Sequence, residues 1–121
     1  GGALLIGSDT LLYRLVFNLV ENAIRYSRPG STVNVSICDN DSHVFLRVED
    51  QGPGIPKQYR ESIFQPFFRL DKSRSRAYGG AGLGLALVWE IAALHGGTVE
   101  VEASSKNGTT MLATLPKRAA A

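Results

Sequence analysis

The sequence predicts an α/β two-layer sandwich, a mixed and mostly antiparallel sheet packed on three helices. Three observations lead there. Two pairs of strand-like segments are each joined by a short turn, the pattern of antiparallel hairpins. Helical periodicity is confined to stretches outside those pairs, so helices and strands segregate into layers. The regular strand–helix alternation of a doubly wound parallel sheet is missing. At 121 residues, 44% hydrophobic and 20% charged, the chain has the size and composition of a single globular domain, 1–121.

Taken in order, "ALLIG" (3–7) reads as a short strand. Ser8 or Asp9 can cap a helix, and Leu12, Leu15, Val16, Leu19 and Ala23 then recur every three or four residues, so 9–27 reads as one amphipathic helix. Its apolar centre falls near Leu12, Val16, Leu19 and Ala23, and Pro29 and Gly30 stop it. "TVNVSIC" (32–38) alternates, with Val33, Val35 and Ile37 on the inner face of a half-buried strand. "DNDS" (39–42) turns the chain and "HVFLRVED" (43–50) brings it back. "QGPGIP" (51–56) is loop, "KQYRESIF" (57–64) a short helix, and 65–82 lacks any period. A last helix covers roughly 83–95, ended by Gly96. "TVEVEAS" (98–104) and "TTMLATLP" (109–116) form a hairpin around Asn107-Gly108.

Several function classes are excluded early. A net charge of +2 gives no general attraction for nucleic acid or anionic lipid. The longest apolar stretch, 83–94, is too short to span a bilayer and contains Glu90, so no direct membrane contact is expected. The single cysteine, Cys38, rules out an internal disulfide and fits a reducing compartment. The Gly-Gly start and "KRAAA" end read as the boundaries of a domain taken from a longer protein.

Four constellations carry chemistry. Asn18 and Asn22 lie one turn apart at the margin of the first helix's apolar stripe, beside Arg14 and Arg25. Asn is a mediocre helix former, so the pair either clamps helix to loop or holds something that is not protein; the neutral oxygen of Asn22 suits hard Mg²⁺. In "DQGPGIP" (50–56), Asp50 closes a strand ahead of Gly52 and Gly54. It can accept a hydrogen bond from an exocyclic amine while the glycines admit a flat ring, or it can simply bond its own loop. "GGAGLGL" (79–85) opens a helix, where free N–H groups and the helix dipole favour an anion. Leu85 excludes a G-x-G-x-x-G fingerprint, and Leu85-Ala86 after Gly84 excludes a P-loop. The cluster is a hinge or a place of close ligand approach. "RLDKSRSR" (69–76), with four cations and one anion, is a solvated loop or a cationic lid over a polyphosphate.

In order and spacing, these stretches resemble the catalytic and ATP-binding domain of bacterial sensor histidine kinases, across nearly all of 4–116. "NLVENAIRYS" (18–27) is similar to the family's N box, "DQGPGIP" to its G1 box, "FQPFFRLD" (64–71) to its F box and "GGAGLGL" to its G2 box. "HGGTVEVEAS" and "GTTMLATLP" resemble its closing strands. The resemblance implies binding of ATP with Mg²⁺ and transfer of the γ-phosphoryl group to a histidine on a separate dimerisation domain. An aspartate on a response regulator would be the onward acceptor. It implies that Asn22 offers an oxygen to Mg²⁺, that Asn18 faces the phosphates, that Arg25 reaches a phosphate and that Tyr26 packs against adenosine. Asn18, Asn22 and Arg25 are then the catalytic set. Asp50 would take the adenine N6 hydrogen bond, with Gly52 and Gly54 bordering the base. Gly80, Gly82 and Gly84 would line the phosphates and hinge a mobile ATP lid, 69–82; Ile55, Arg69 and Leu83 complete the nucleotide-contacting set. Of Phe64, Phe67 and Phe68, at least two are expected to pack rather than touch ligand.

The same fold serves DNA gyrase, a heat-shock chaperone and mismatch-repair ATPases. In the hydrolytic members the position matching Asn18 is typically a glutamate that activates water. Asn cannot act as a base near neutral pH, so slow hydrolysis is expected. Glu21 lies about 60° around the helix from Asn18 and is discounted as a substitute. The family's phosphoacceptor motif is absent: His43 begins a strand and His95 ends a helix. The domain is thus expected to be monomeric and to belong to the cytoplasmic portion of a membrane-bound sensor. An anti-sigma-factor-type serine kinase and a nucleotide-gated binding module are the alternatives. The aromatic box and the basic lid favour the histidine-kinase branch over the first. Asn22 and the complete glycine loops speak against the second.

Overall fold

A computed structural model describes residues 9–68 and 84–117. The strand expected at 3–7, the loop 69–82 and Leu83 lie outside the described residues. The elements run α1 (Asp9–Tyr26), β1 (Asn34–Asp39), β2 (His43–Glu49), two 3₁₀ turns (Lys57–Tyr59 and Ser62–Phe64), α2 (Gly84–Leu94), β3 (Thr98–Ser105) and β4 (Gly108–Pro116). The strands form one sheet in the order β1-β2-β4-β3, with every described pair antiparallel.

Register explains the core. Val44, Leu46 and Val48 of β2 lie opposite Leu115, Ala113 and Met111 of β4, and Val99 of β3 joins them opposite Ala113. All are buried, and side chains opposite one another in a ladder share a face, so the middle of one face of the sheet is apolar. Leu15, Leu19 and Ala23 of α1, Val88, Ile91 and Ala92 of α2, and Ile63 and Phe64 cover it. The helical layer therefore has three segments, the third reduced to two 3₁₀ turns because 57–64 offers no sustained apolar stripe.

Three sequence expectations shift. The buried stripe of α1 centres on Leu15, Leu19 and Ala23, with Leu12 and Val16 only partly buried, because α2 packs against the Asn18 side of α1. β1 is exposed along its whole length, with Val35 46% and Ile37 64% exposed. Their partners Val48 and Leu46 are buried, so both point to the helical side as alternation requires, but α1 lies over β2 and stops short of the edge. The β3–β4 hairpin turns at Lys106-Asn107, with Ser105 paired to Gly108. Gly108 is the first residue of β4, where a Cβ would run into the Asp50 carbonyl oxygen.

On the open face, Arg47 reaches across β4 to Glu102 with two charge-assisted hydrogen bonds, 2.7 and 2.9 Å. Leu112, opposite Arg47, is buried beneath them. α2 ends in a Schellman arrangement: Gly97 N–H bonds the Ala92 carbonyl at 2.8 Å and Gly96 N–H the Ala93 carbonyl at 3.0 Å.

Candidate nucleotide site

β2 delivers Asp50 to the sheet's end, and the chain around it is fixed from four directions. Asp50 N–H donates to the Thr109 carbonyl (2.9 Å), and Thr109 N–H returns a bond to Asp50 Oδ1 (3.1 Å). Gly52 N–H donates to the same oxygen at 2.9 Å. Asp50 is only 6% exposed, and burial pushes its carboxyl above the usual range, the two N–H donors opposing that in part. Oδ2 receives no bond from the described residues. No side-chain nitrogen or oxygen sealed from solvent lacks a partner among them, so Oδ2 faces an opening. One oxygen is locked to the backbone; the other is left to accept.

The loop behind Asp50 is held equally firmly. A Cβ at Gly52 would fall on the Tyr26 carbonyl oxygen, so the loop can rest against the end of α1 only with glycine there. Gly54 has φ +87°, and a Cβ would strike the Ser105 carbonyl oxygen. Ile55 N–H donates to Ser104 Oγ at 2.8 Å, and its side chain packs on the core. Arg60 spans the Ile55 and Ser104 carbonyls. On the other side Gln51 N–H donates to Ser27 Oγ (3.1 Å), and Arg28 donates to the carbonyls of Gln51 (3.2 Å) and Lys106 (2.7 Å). Arg28 thus ties the end of α1, the Asp50 loop and the β3–β4 turn together.

From this end a polar lip runs back along α1. Tyr26 lies beside Gly52, Asn22 one turn earlier and Asn18 another turn earlier, about 12 Å by helix rise. Asn18 Nδ2 donates to the Arg14 carbonyl (2.9 Å), which turns Oδ1 toward Gly84, the first residue of α2. Asn18, Gly84, Ala86, Leu87 and Glu90 line an open groove of about 430 Å³ between the two helices. The Asn22 side chain is half-buried and has no hydrogen-bond partner among the described residues. Arg25 pairs with Glu21 at 3.0 Å, which occupies the one carboxylate near Asn18 on this helix.

The structure therefore sets Asn18, Asn22, Arg25 and Tyr26 on the later turns of α1 with Gly84 beside Asn18, and Asp50, Gly52, Gly54 and Ile55 in the loop that rests on the end of α1. Arg69, Gly80, Gly82 and Leu83 lie outside the described residues. Phe64 is buried against Trp89 and Phe68 packs on Tyr59, whereas Phe67 is exposed. His95 Nδ1 bonds the Ile91 carbonyl at the far end of α2, and His43 opens β2 beside Ser42. Sequence reasoning missed Thr109, Ser104 and Arg28. A hydroxyl immediately after the Asn-Gly pair was the one local sign of Thr109; nothing local marks the other two.

A family model described as histidine kinase-, DNA gyrase B- and HSP90-like ATPase matches residues 7–119, and that is the class of ATPase this layering and site define. The sensor-like histidine kinase SenX3 of Mycobacterium tuberculosis is 45% identical over 111 residues, 92% of this chain and 27% of that protein. The sensor protein RstB of Escherichia coli is 49% identical over 98 residues, 81% of this chain and 22% of that protein. The solved structure of the mycobacterial sensor histidine kinase MprB is 38% identical with a TM-score of 0.81, covering 96% of this chain and 76% of that one. The chain belongs to the catalytic domains of sensor histidine kinases within this ATPase family. It spans about a quarter of the length of the curated relatives SenX3 and RstB. Among the described residues, no helix is long and apolar enough to cross a membrane.

Proposed function

We propose that this domain binds Mg-ATP along the α1 lip and donates the γ-phosphoryl group to a histidine on a separate dimerisation domain. A response-regulator aspartate would take the group onward, and the site would face the cytoplasm as part of a membrane-bound sensor. The observation that carries the reading is the division of labour within Asp50. Oδ1 is held by two backbone N–H groups and Oδ2 is left free in an otherwise satisfied, buried setting. A buried acceptor opening on a glycine-walled loop suits the exocyclic amine of adenine.

The base would lie between this loop and Tyr26, sending the phosphates along α1 past Asn22 and Asn18 toward the start of α2. There the free N–H groups of the helix's first turn and its dipole favour the negative charge. Arg25 would exchange its Glu21 partner for a phosphate oxygen, a stronger, charge-assisted match. Among the described residues no group of three or more His, Cys, Asp or Glu could hold a metal ion. The neutral oxygen of Asn22, half-buried and without a hydrogen-bond partner among the described residues, fits an ion whose other ligands are phosphate oxygens and water. Mg²⁺ bound there would neutralise phosphate charge. Asn18 cannot deprotonate water, and Glu21 lies about 60° around α1 from it, so idle hydrolysis would be slow and the phosphoryl group kept for the incoming imidazole.

Incubating the chain with ATP, Mg²⁺ and a supplied sensor-kinase dimerisation domain tests this. Acid-labile phosphohistidine on the supplied domain, lost in Asn22→Ala, is the expected result. Rapid ATP hydrolysis without phosphohistidine, abolished by Glu21→Gln, would overturn it.

A further inference from the structure

Ser104 belongs to no element that the nucleotide reading uses, yet its hydroxyl sits where two halves of the base pocket meet. Ser104 Oγ lies 2.8 Å from Thr109 Oγ1 and accepts the Ile55 N–H at 2.8 Å. Thr109 holds Asp50 Oδ1 through its own N–H, and Ile55 ends the glycine loop against which the base is proposed to lie. The Ser104 carbonyl also accepts from Arg60, which grips the Ile55 carbonyl in turn. Gly54 lies directly over this point, and even an added Cβ there would come within 3.2 Å of Ser104 Oγ. One hydroxyl therefore ties the loop to the strand residue that holds the acceptor carboxylate.

We propose that Ser104 is a positioning residue for the base. Its hydroxyl fixes where the 52–55 loop stands relative to Asp50, and so sets the slot between that loop and Tyr26 and with it affinity and selectivity for the adenine ring. This inference rests on the nucleotide reading above. Removing Oγ leaves the Ile55 N–H without its acceptor and Thr109 Oγ1 without its partner, so the loop lifts and the slot loosens. The phosphate end, two helical turns away on α1, keeps its geometry. Base affinity should fall while the chemical step is preserved.

The test measures ATP and GTP binding by calorimetry, and phosphotransfer kinetics, for the chain as wild type, Ser104→Ala and Ser104→Thr. Ser104→Ala should weaken ATP binding about tenfold, narrow the preference for ATP over GTP, and raise KM with kcat within about twofold. Ser104→Thr, which keeps the hydroxyl, should restore the preference. Unchanged affinity and selectivity in a folded Ser104→Ala overturns the inference alone. If Ser104→Ala does not fold, Ser104→Thr decides: a preference unlike wild type's overturns it, and one equal to wild type's supports it. No ATP binding by the wild type overturns the nucleotide reading and this inference with it.

Discussion

The two ends of the site are built on opposite principles. At the base end, Asp50, Gln51, Gly52 and Ile55 are fixed by backbone and side-chain bonds among themselves and to β3, β4 and the Ser27–Arg28 segment that follows α1, before any ligand arrives. At the phosphate end, the functional side chains of α1 are held, among the described residues, only by their own helix. Asn18 bonds the Arg14 carbonyl, Arg25 pairs with Glu21, and Asn22 has no partner among the described residues. A rigid slot selects one ring and loses little entropy on binding it. The amides and cation of the phosphate end must instead be ordered by the ligand before they can stabilise its charge, an entropic cost the base end does not meet.

The sharpest way to break this contrast is Asp50→Asn. The amide carbonyl can still accept from Gly52 and Thr109, but an NH₂ then meets the base amine, donor against donor. We expect ATP affinity to fall about 100-fold while the melting temperature holds or rises, since a buried carboxylate's desolvation is removed. Gly54→Ala should do the reverse of a clean functional change. With φ +87° and the Ser105 carbonyl in the way, it should cost about 2 kcal/mol of stability in denaturant melts. At the other end, Asn22→Ala breaks no side-chain hydrogen bond among the described residues and improves helix propensity by about 0.5 kcal/mol. Its thermal stability should rise slightly while Mg-dependent ATP affinity falls about tenfold.

These contrasts show what the sequence makes legible. Period alone places Asn18 and Asn22 at the margin of a stripe read as Leu12, Val16, Leu19 and Ala23, and the stripe actually buried, Leu15, Leu19 and Ala23, keeps both beside it. The strand end and its two glycines single out Asp50. What holds Asp50 is invisible locally, since Thr109 lies 59 residues away, Ser104 lies 49 from Ile55, and the Arg28 bond to Lys106 spans 78. Alternation in β1 likewise says that Val35 and Ile37 share a face with Leu46 and Val48. It cannot say whether a helix reaches far enough to cover that face.

Asp50 also gives the contrast a pH signature. Its folded-state carboxyl is raised by burial above the ordinary 3.8. Between those values the native chain binds more protons than the unfolded one. The stability this group contributes is therefore complete below pH 3.8 and is lost as pH rises through the raised value. ATP affinity should move the opposite way, weakening as pH falls through that raised value, and Asp50→Asn should flatten both profiles. The smallest expected effect is at the phosphate end: Glu21→Gln releases an exposed i,i+4 pair and should change stability by about 0.3 kcal/mol. It should leave ATP affinity equal or slightly improved as Arg25 is freed.

The deciding measurement is calorimetric titration of adenosine and of ATP, each with and without Mg²⁺, into wild type and Asn22→Ala. If one end is preassembled and the other is organised by its ligand, adenosine binds both proteins equally and only Mg-ATP binding weakens in the variant. Equal loss of adenosine and Mg-ATP binding in a folded Asn22→Ala would contradict the division between the two ends.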